Sequence, residues 1–166
     1  MSKYFVIVPV FNEAKRIRKC LNRILEFHKH IIVVDDGSTD NTHEILDDFP
    51  NIDVLHLPKN SGKGFTMKEG AKLARKLGAK GIIYMDGDNQ HDPKHLSEFI
   101  KLLDKKSDII IGVRILKTDI PLYRKIGNIL MAYAMQKFFS VRIADMMCGY
   151  RAFSRKGYRD VMWDSN

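Results

Sequence analysis

Tyr4-Phe5-Val6-Ile7-Val8-Pro9-Val10 is a near-continuous run of apolar, largely β-branched residues. Such a run, with no polar alternation, is what a strand buried on both faces requires. Strand-like segments recur at residues 31–34, 53–57, 81–85 and 108–113. Between them the pattern turns helical. Ile17, Cys20, Leu21, Ile24 and Leu25 repeat at i, i+3, i+4, i+7 and i+8, with Arg16, Arg18, Lys19 and Arg23 elsewhere on the cylinder. Asn12 is placed to cap that helix, and Asp40 to cap a short one ending near Phe49-Pro50. Further helices are expected over 64–77 with a break at Gly78, over 94–103 behind the Asp92-Pro93 cap and first-turn proline, and over 120–139. Ser154 can cap a last short helix. Strands alternating with helices predict an α/β fold with a mostly parallel, doubly wound sheet flanked by helices. No internal repeat or linker divides residues 1–166, so one domain is expected.

The 166 residues hold 28 Lys and Arg against 20 Asp and Glu, a net charge of +8 with six His counted neutral. An apolar share of 45% and a charged share of 29% are globular values and argue against disorder. Cys20 and Cys148 form no C-x-x-C pair, which excludes a disulfide framework or a Cys-based zinc site and fits a reducing cytosol. No apolar stretch approaches the ~20 residues of a membrane-spanning helix, and the start of the chain has no signal-peptide core. A cytoplasmic protein, peripheral to any membrane it meets, is the expectation.

The excess charge is local. From Arg114 to Arg159 there are ten Lys or Arg and two acids, Asp119 and Asp145. These basic residues border the apolar segment 126–141, rich in Met, Phe and Tyr. Basic residues beside an amphipathic helix suit an anionic lipid or a phosphate-bearing ligand; a core helix with solvated neighbours has the same pattern. No nucleic-acid-binding motif accompanies the charge, so no nucleic acid partner is expected.

The unusual polar residues gather where the strands end. Phe11-Asn12-Glu13 follows the first strand and Asp35-Asp36-Gly37-Ser38 the second. Lys59-Asn60-Ser61-Gly62-Lys63-Gly64 follows the third, Asp86-Gly87-Asp88 the fourth and Arg114 the fifth. In a parallel sheet these positions share the carboxyl edge, where open α/β sheets bind ligands. Each cluster alone reads as a turn or a helix cap; five along one edge read as a site. In Asp86-Gly87-Asp88, alternate residues point the same way, and Gly87 leaves room for a bulky group near the backbone. Two hard oxygen donors with open positions suit Mg²⁺ or Mn²⁺ shared with substrate phosphates, and Gln90 can add an oxygen. His91 and His95 flank a proline and read as surface or packing residues. Ser61-Gly62-Lys63-Gly64 lacks the phosphate-loop spacing, no G-x-G-x-x-G follows the first strand, and no G-x-S-x-G is present. Phosphate-loop kinases, dinucleotide dehydrogenases and serine hydrolases are therefore disfavoured.

Val8-Pro9-Val10-Phe11-Asn12-Glu13, Val34 to Asp40 (VDDGSTD), Asp86 to Pro93 (DGDNQHDP) and Asp145 to Arg151 (DMMCGYR) together resemble the successive motifs of family 2 glycosyltransferases with the GT-A fold. Among these the resemblance is nearest to the dolichyl- and polyprenyl-phosphate sugar synthases. It implies a nucleotide-sugar donor, GDP-mannose or a UDP-sugar, and a polyprenyl or dolichyl phosphate acceptor at the cytoplasmic face of a membrane, and it leaves a membrane-embedded partner open. It places Pro9, Phe11, Glu13, Val34, Asp36, Asp86, Gly87, Asp88 and Arg114 at the nucleotide-sugar. Asp86, Asp88 and Gln90 fall in the metal set, for Mg²⁺ or Mn²⁺. Asp88, Arg114, Arg124 and Asp145 fall among the catalytic positions, Asp145 either as a base or as a group orienting Arg151. Asn128 completes an Arg-x-x-x-Asn element with Arg124. Phe11 stands where the family usually has Tyr, and relatives continue past the position of Asn166. A transferase acting on a saccharide hydroxyl is the alternative within the same family.

Overall fold

The computed structural model describes residues 3–113, 137 and 148–160. The chain divides into two units, Met1–Ile110 with Tyr150–Asn166, and Ile111–Gly149; the fold described below is that of the first. Its strands are β1 (Lys3–Val10), β2 (Ile31–Asp35), β3 (Asp53–His56), β4 (Ala79–Tyr84), β5 (Ile109–Ile111) and β6 (Arg151–Ser154). The helices are α1 (Ile17–Phe27), α2 (Thr42–Asp47), α3 (Lys63–Lys76), α4 (Leu96–Asp104) and α5 (Arg155–Asp160), with a 3-10 turn at Pro93–His95.

The sheet has the order β3-β2-β1-β4-β6-β5. β1 runs parallel to both β2 and β4, and β2 parallel to β3. β1 and β2 are buried along almost their whole length, as their unbroken apolar runs require, whereas β3 is half-buried at the edge. Ile17, Cys20, Leu21 and Ile24 form the buried stripe of α1. The α/β architecture and its mostly parallel sheet are as the alternation of patterns predicts. The chain enters β1 in the middle of the sheet, winds outward through β2 and β3, and returns to β4 on the other side. The strand order therefore reverses between β1 and β4, where a crevice opens at the carboxyl ends.

The structure corrects several local expectations. Residues 151–154 are a strand, antiparallel to β4, which separates β4 from β5. Its four residues carry too little periodicity to read, and pairing with a buried neighbour decides the matter. Asn12 does not cap α1. It sits at φ 55, and its side-chain oxygen accepts from Thr39 N at 2.8 Å, while Glu13 O receives the first amides of the helix. Ser154 does cap α5, its Oγ accepting from Gly157 N at 2.9 Å. Asp92 accepts from Lys94 N across the proline, as expected, but a 3-10 turn intervenes before α4. The helix expected over 120–139 lies outside the described residues apart from Lys137, which is helical. Among the described residues no helix is long and apolar enough to cross a membrane.

Candidate active site

Four chain segments meet at the point where the strand order reverses. Pro9, Val10, Phe11 and Glu13 leave β1, Asp36 leaves β2, Asn60, Gly62, Lys63 and Thr66 open α3, and Asp86, Gly87 and Asp88 leave β4. Together they line one cleft of about 350 Å³.

The walls are fixed by the backbone. Asp36 is buried, and its two carboxylate oxygens accept from Ser61 N at 2.8 Å and Gly62 N at 2.9 Å. That pair of bonds pins the loop before α3 to the end of β2. Gly37 lies under the same loop at φ +69, and a Cβ there would sit 2.6 Å from the backbone carbon of Lys59. Only glycine fits such a conformation and approach. The opposite wall is held by α1: Arg23 donates to Asn89 Oδ1 at 2.6 Å, fixing the turn that carries Asp88. At Gly87 a Cβ would meet Val10 Cγ1 at 2.7 Å, so the acidic turn is packed directly on the end of β1.

Asp86 carries the strongest electrostatics in the cleft. Lys63 Nζ donates to its Oδ1 at 2.5 Å, and His91 Nε2 lies 3.5 Å from its Oδ2. Burial pushes this carboxyl up, but the hydrogen bonds from His91 and Lys63 and their charge outweigh burial and bring it down to about 2. It is fully ionised near neutral pH. His91 is held from behind by Tyr150, ring centroids 5.2 Å apart, and Tyr150 stacks on Phe99 at 4.4 Å. The pairing of Tyr84 with Arg151 brings Tyr150 alongside the acidic turn, so Tyr150 reaches Asp86 through His91. Asp88 Oδ1 accepts from Gln90 N at 2.9 Å.

Of the residues expected at the nucleotide-sugar, Pro9, Phe11, Glu13, Asp36, Asp86, Gly87 and Asp88 line this cleft. Phe11 is 41% exposed at its rim. The Glu13 carboxylate is engaged by Arg16 at 2.7 and 3.1 Å. Val34 is not in the lining. It is buried in the core beneath Gly70 of α3, where an added Cβ would come within 2.9 Å of Val34 Cγ2. Gln90 is exposed and is not in the lining either. Arg114, Arg124, Asn128 and Asp145 lie outside the described residues. Cys20 is no nucleophile, since burial pushes its thiol up to about 11. Sequence reasoning put Lys63 at the ligand edge only as part of its glycine-rich cluster, without a role, and missed His91 and Arg23 as parts of the site. The glycines around Lys63 were the one available signal. His91, read as a surface or packing residue, does pack, but with its ring at Asp86.

The donors fit a hard divalent cation in part. Two carboxylates, one firmly ionised, open onto the cleft, which suits an ion that completes its shell with water and substrate phosphate. No third oxygen donor joins them from Gln90.

The model of glycosyl transferase family 2 matches residues 5–162. An uncharacterised protein of Methanocaldococcus jannaschii is 36% identical over 93% of this chain and 73% of its own length. The UDP-N-acetylglucosamine–dolichyl-phosphate N-acetylglucosaminyltransferase of Methanococcus voltae is 28% identical over 93% of this chain and 70% of its own. Among solved structures, glucosyl-3-phosphoglycerate synthase from Mycobacterium tuberculosis, in complex with Mn²⁺, UDP-glucose and phosphoglyceric acid, superposes with a TM-score of 0.73. It is 18% identical, covering 93% of this chain and 57% of that one, a likeness of fold alone.

Proposed function

Because the chain belongs to glycosyl transferase family 2 and has the GT-A fold, we propose that residues 1–166 act as one catalytic domain for inverting transfer of a sugar from a nucleotide-sugar to a polyprenyl or dolichyl phosphate. The observation that carries this reading is the cleft at the strand-order reversal, lined by Phe11, Asp36, Lys63, Asp86 and Asp88. The family model runs without a break from 5 to 162, which supports a single domain. The relative from Methanococcus voltae supports the lipid-phosphate acceptor with a UDP-sugar donor, and a polyprenol monophosphomannose synthase of Mycolicibacterium smegmatis, 29% identical over 93% of this chain, supports the same acceptor with mannose.

In this reading the exposed ring of Phe11 stacks on the base, and stacking needs no hydroxyl. Each Asp36 oxygen, already accepting one backbone amide, keeps a lone pair for a base N–H. Asp86 and Asp88 hold Mg²⁺ or Mn²⁺, which when bound supplies neutralising charge for the departing nucleoside diphosphate. Lys63 is the residue that must move. Its ammonium rests on Asp86, and its exposed stem lets it turn toward the donor phosphates. A phosphate acceptor, with a second pKa near ~6, is nucleophilic without a strong base. Arg114 and Arg124 then hold two mutually repelling anions within reach. Work on such an acceptor places the protein at the cytoplasmic face of a membrane, bound peripherally.

The test incubates the chain with radiolabelled UDP- or GDP-sugars, polyprenyl phosphate and Mn²⁺, with EDTA controls. The expected product partitions into organic solvent and is absent with EDTA. A water-soluble saccharide product would overturn the lipid acceptor, and transfer undiminished in EDTA would overturn the metal.

A further inference from the structure

A second cluster of ligand-type side chains sits at the ends of β2 and β3, built from residues the transfer reading does not use. Asp35 ends β2 and is the register partner of His56, which ends β3. Partners on parallel neighbours present their side chains on the same face of a sheet. His43, in the first turn of α2, reaches the same place. Asp35 Oδ2 lies 3.0 Å from His56 Nδ1 and 3.9 Å from His43 Nδ1, and the two Nδ1 atoms are 2.9 Å apart.

Hydrogen bonding does not account for this triangle. An imidazole nitrogen has one in-plane position, carrying either a proton or a lone pair. His56 Nδ1 is within hydrogen-bond distance of both Asp35 and His43, and it can serve one of them. If it donates to the carboxylate, it has nothing to offer His43. If both Nδ1 atoms carry protons, two N–H donors face each other at contact. The Asp35 side chain is 3% exposed, and a carboxylate that buried needs a hydrogen-bond donor or a cation at each oxygen. Its other oxygen is taken by Ser38 N at 3.0 Å.

A single ion among the three atoms satisfies all of them. Tetrahedral Zn²⁺, with bonds of about 2.0–2.1 Å, sets its ligand atoms roughly 3.3–3.4 Å apart, and the observed edges of 2.9, 3.0 and 3.9 Å bracket that spacing. Two imidazoles and one carboxylate favour Zn²⁺ over Mg²⁺, which demands oxygen donors. His43 is 55% and His56 30% exposed, which leaves an entry path and a fourth position for water. We propose that Asp35, His43 and His56 form a zinc site that ties the ends of β2 and β3 to α2, on the strand end next to Asp36 but separate from the cleft.

The test is titration of the full chain with ZnCl₂, read by calorimetry and by melting temperature, with MgCl₂ in parallel. One equivalent of Zn²⁺ is expected to bind and raise the melting temperature, with no response to Mg²⁺ from this site. His43→Ala, at a position 55% exposed, is expected to weaken Zn²⁺ binding by at least about 10- to 100-fold, and His56→Ala to do the same. Asp88→Asn is expected to leave it intact. Absence of stoichiometric Zn²⁺ binding, or equal binding in His43→Ala and the unaltered chain, would overturn the site.

Discussion

Two strand ends on either side of β1 carry acidic pairs, and the protein treats them differently. At the end of β2, Asp36 gives both oxygens to the amides of Ser61 and Gly62. At the end of β4, Asp86 is met by the side chains of Lys63 and His91. The facing groups make the difference. Backbone amides are fixed in place, so the Asp36 carboxylate is part of the wall. A lysine ammonium on an exposed four-carbon stem can leave, so the Asp86 carboxylate remains exchangeable. The same residue type after the same kind of strand therefore yields a carboxylate fixed in the wall in one case and an exchangeable one in the other.

The sharpest way to break this contrast is to remove the exchangeable side. Asp88→Ala is expected to lower sugar transfer by about 10²- to 10³-fold, the usual scale for loss of a group that organises transition-state charge. Folding stability should change by no more than about 1 kcal/mol, because the bond it loses is to Gln90 N within its own turn. Parallel transfer assays and urea unfolding check both halves. Near-normal turnover would take Asp88 out of the reaction.

Removing the staple should cost the stability that Asp88→Ala spares. Asp36→Ala leaves two amides without acceptors and is expected to cost about 2 kcal/mol of stability, with Asp36→Asn losing roughly half as much because one oxygen remains. Chemical denaturation with an unchanged m-value is the measurement. A variant as stable as the parent would show that Ser61 and Gly62 do not depend on Asp36, and the distinction between the two strand ends would fail.

How much of this was legible without coordinates follows from the range of each interaction. The buried strands, the stripe of α1 and the Ser154 cap depend on periodicity and on neighbours in sequence, and all were readable. The acidic turn stood out because Asp-Gly-Asp after an apolar run is unusual. The sequence did not distinguish Asp36 from Asp86, because their partners are 25 and 23 residues away along the chain. The antiparallel β6 was hidden for the same reason. Its pairing with β4 joins residues some 70 apart in the chain, as with Gly81 and Ser154, and its four residues have no period of their own. His91 is held at Asp86 by the ring of Tyr150 behind it, a contact no local pattern announces.

The smallest expected effect tests whether Lys63 is the movable counter-charge. The Asp86 carboxyl stands at about 2 in the folded chain against an ordinary value of 3.8. A depressed carboxyl contributes stability that is fully present above the ordinary value and is lost as pH falls through the folded one. The unaltered protein should therefore lose stability between about pH 4 and pH 2 on account of this group. In Lys63→Met only His91 opposes the effect of burial, the carboxyl returns toward the ordinary range, and that contribution shrinks. Lys63 is largely exposed, so solvent screening limits the change to something on the order of 1 kcal/mol. Carboxyl-carbon NMR titration of Asp86 in both chains, with urea unfolding at two pH values, reads it directly. An Asp86 that titrates at the same pH with and without Lys63 would show that the lysine does not compensate it, and the exchange of lysine for ligand at the end of β4 would lose its physical basis.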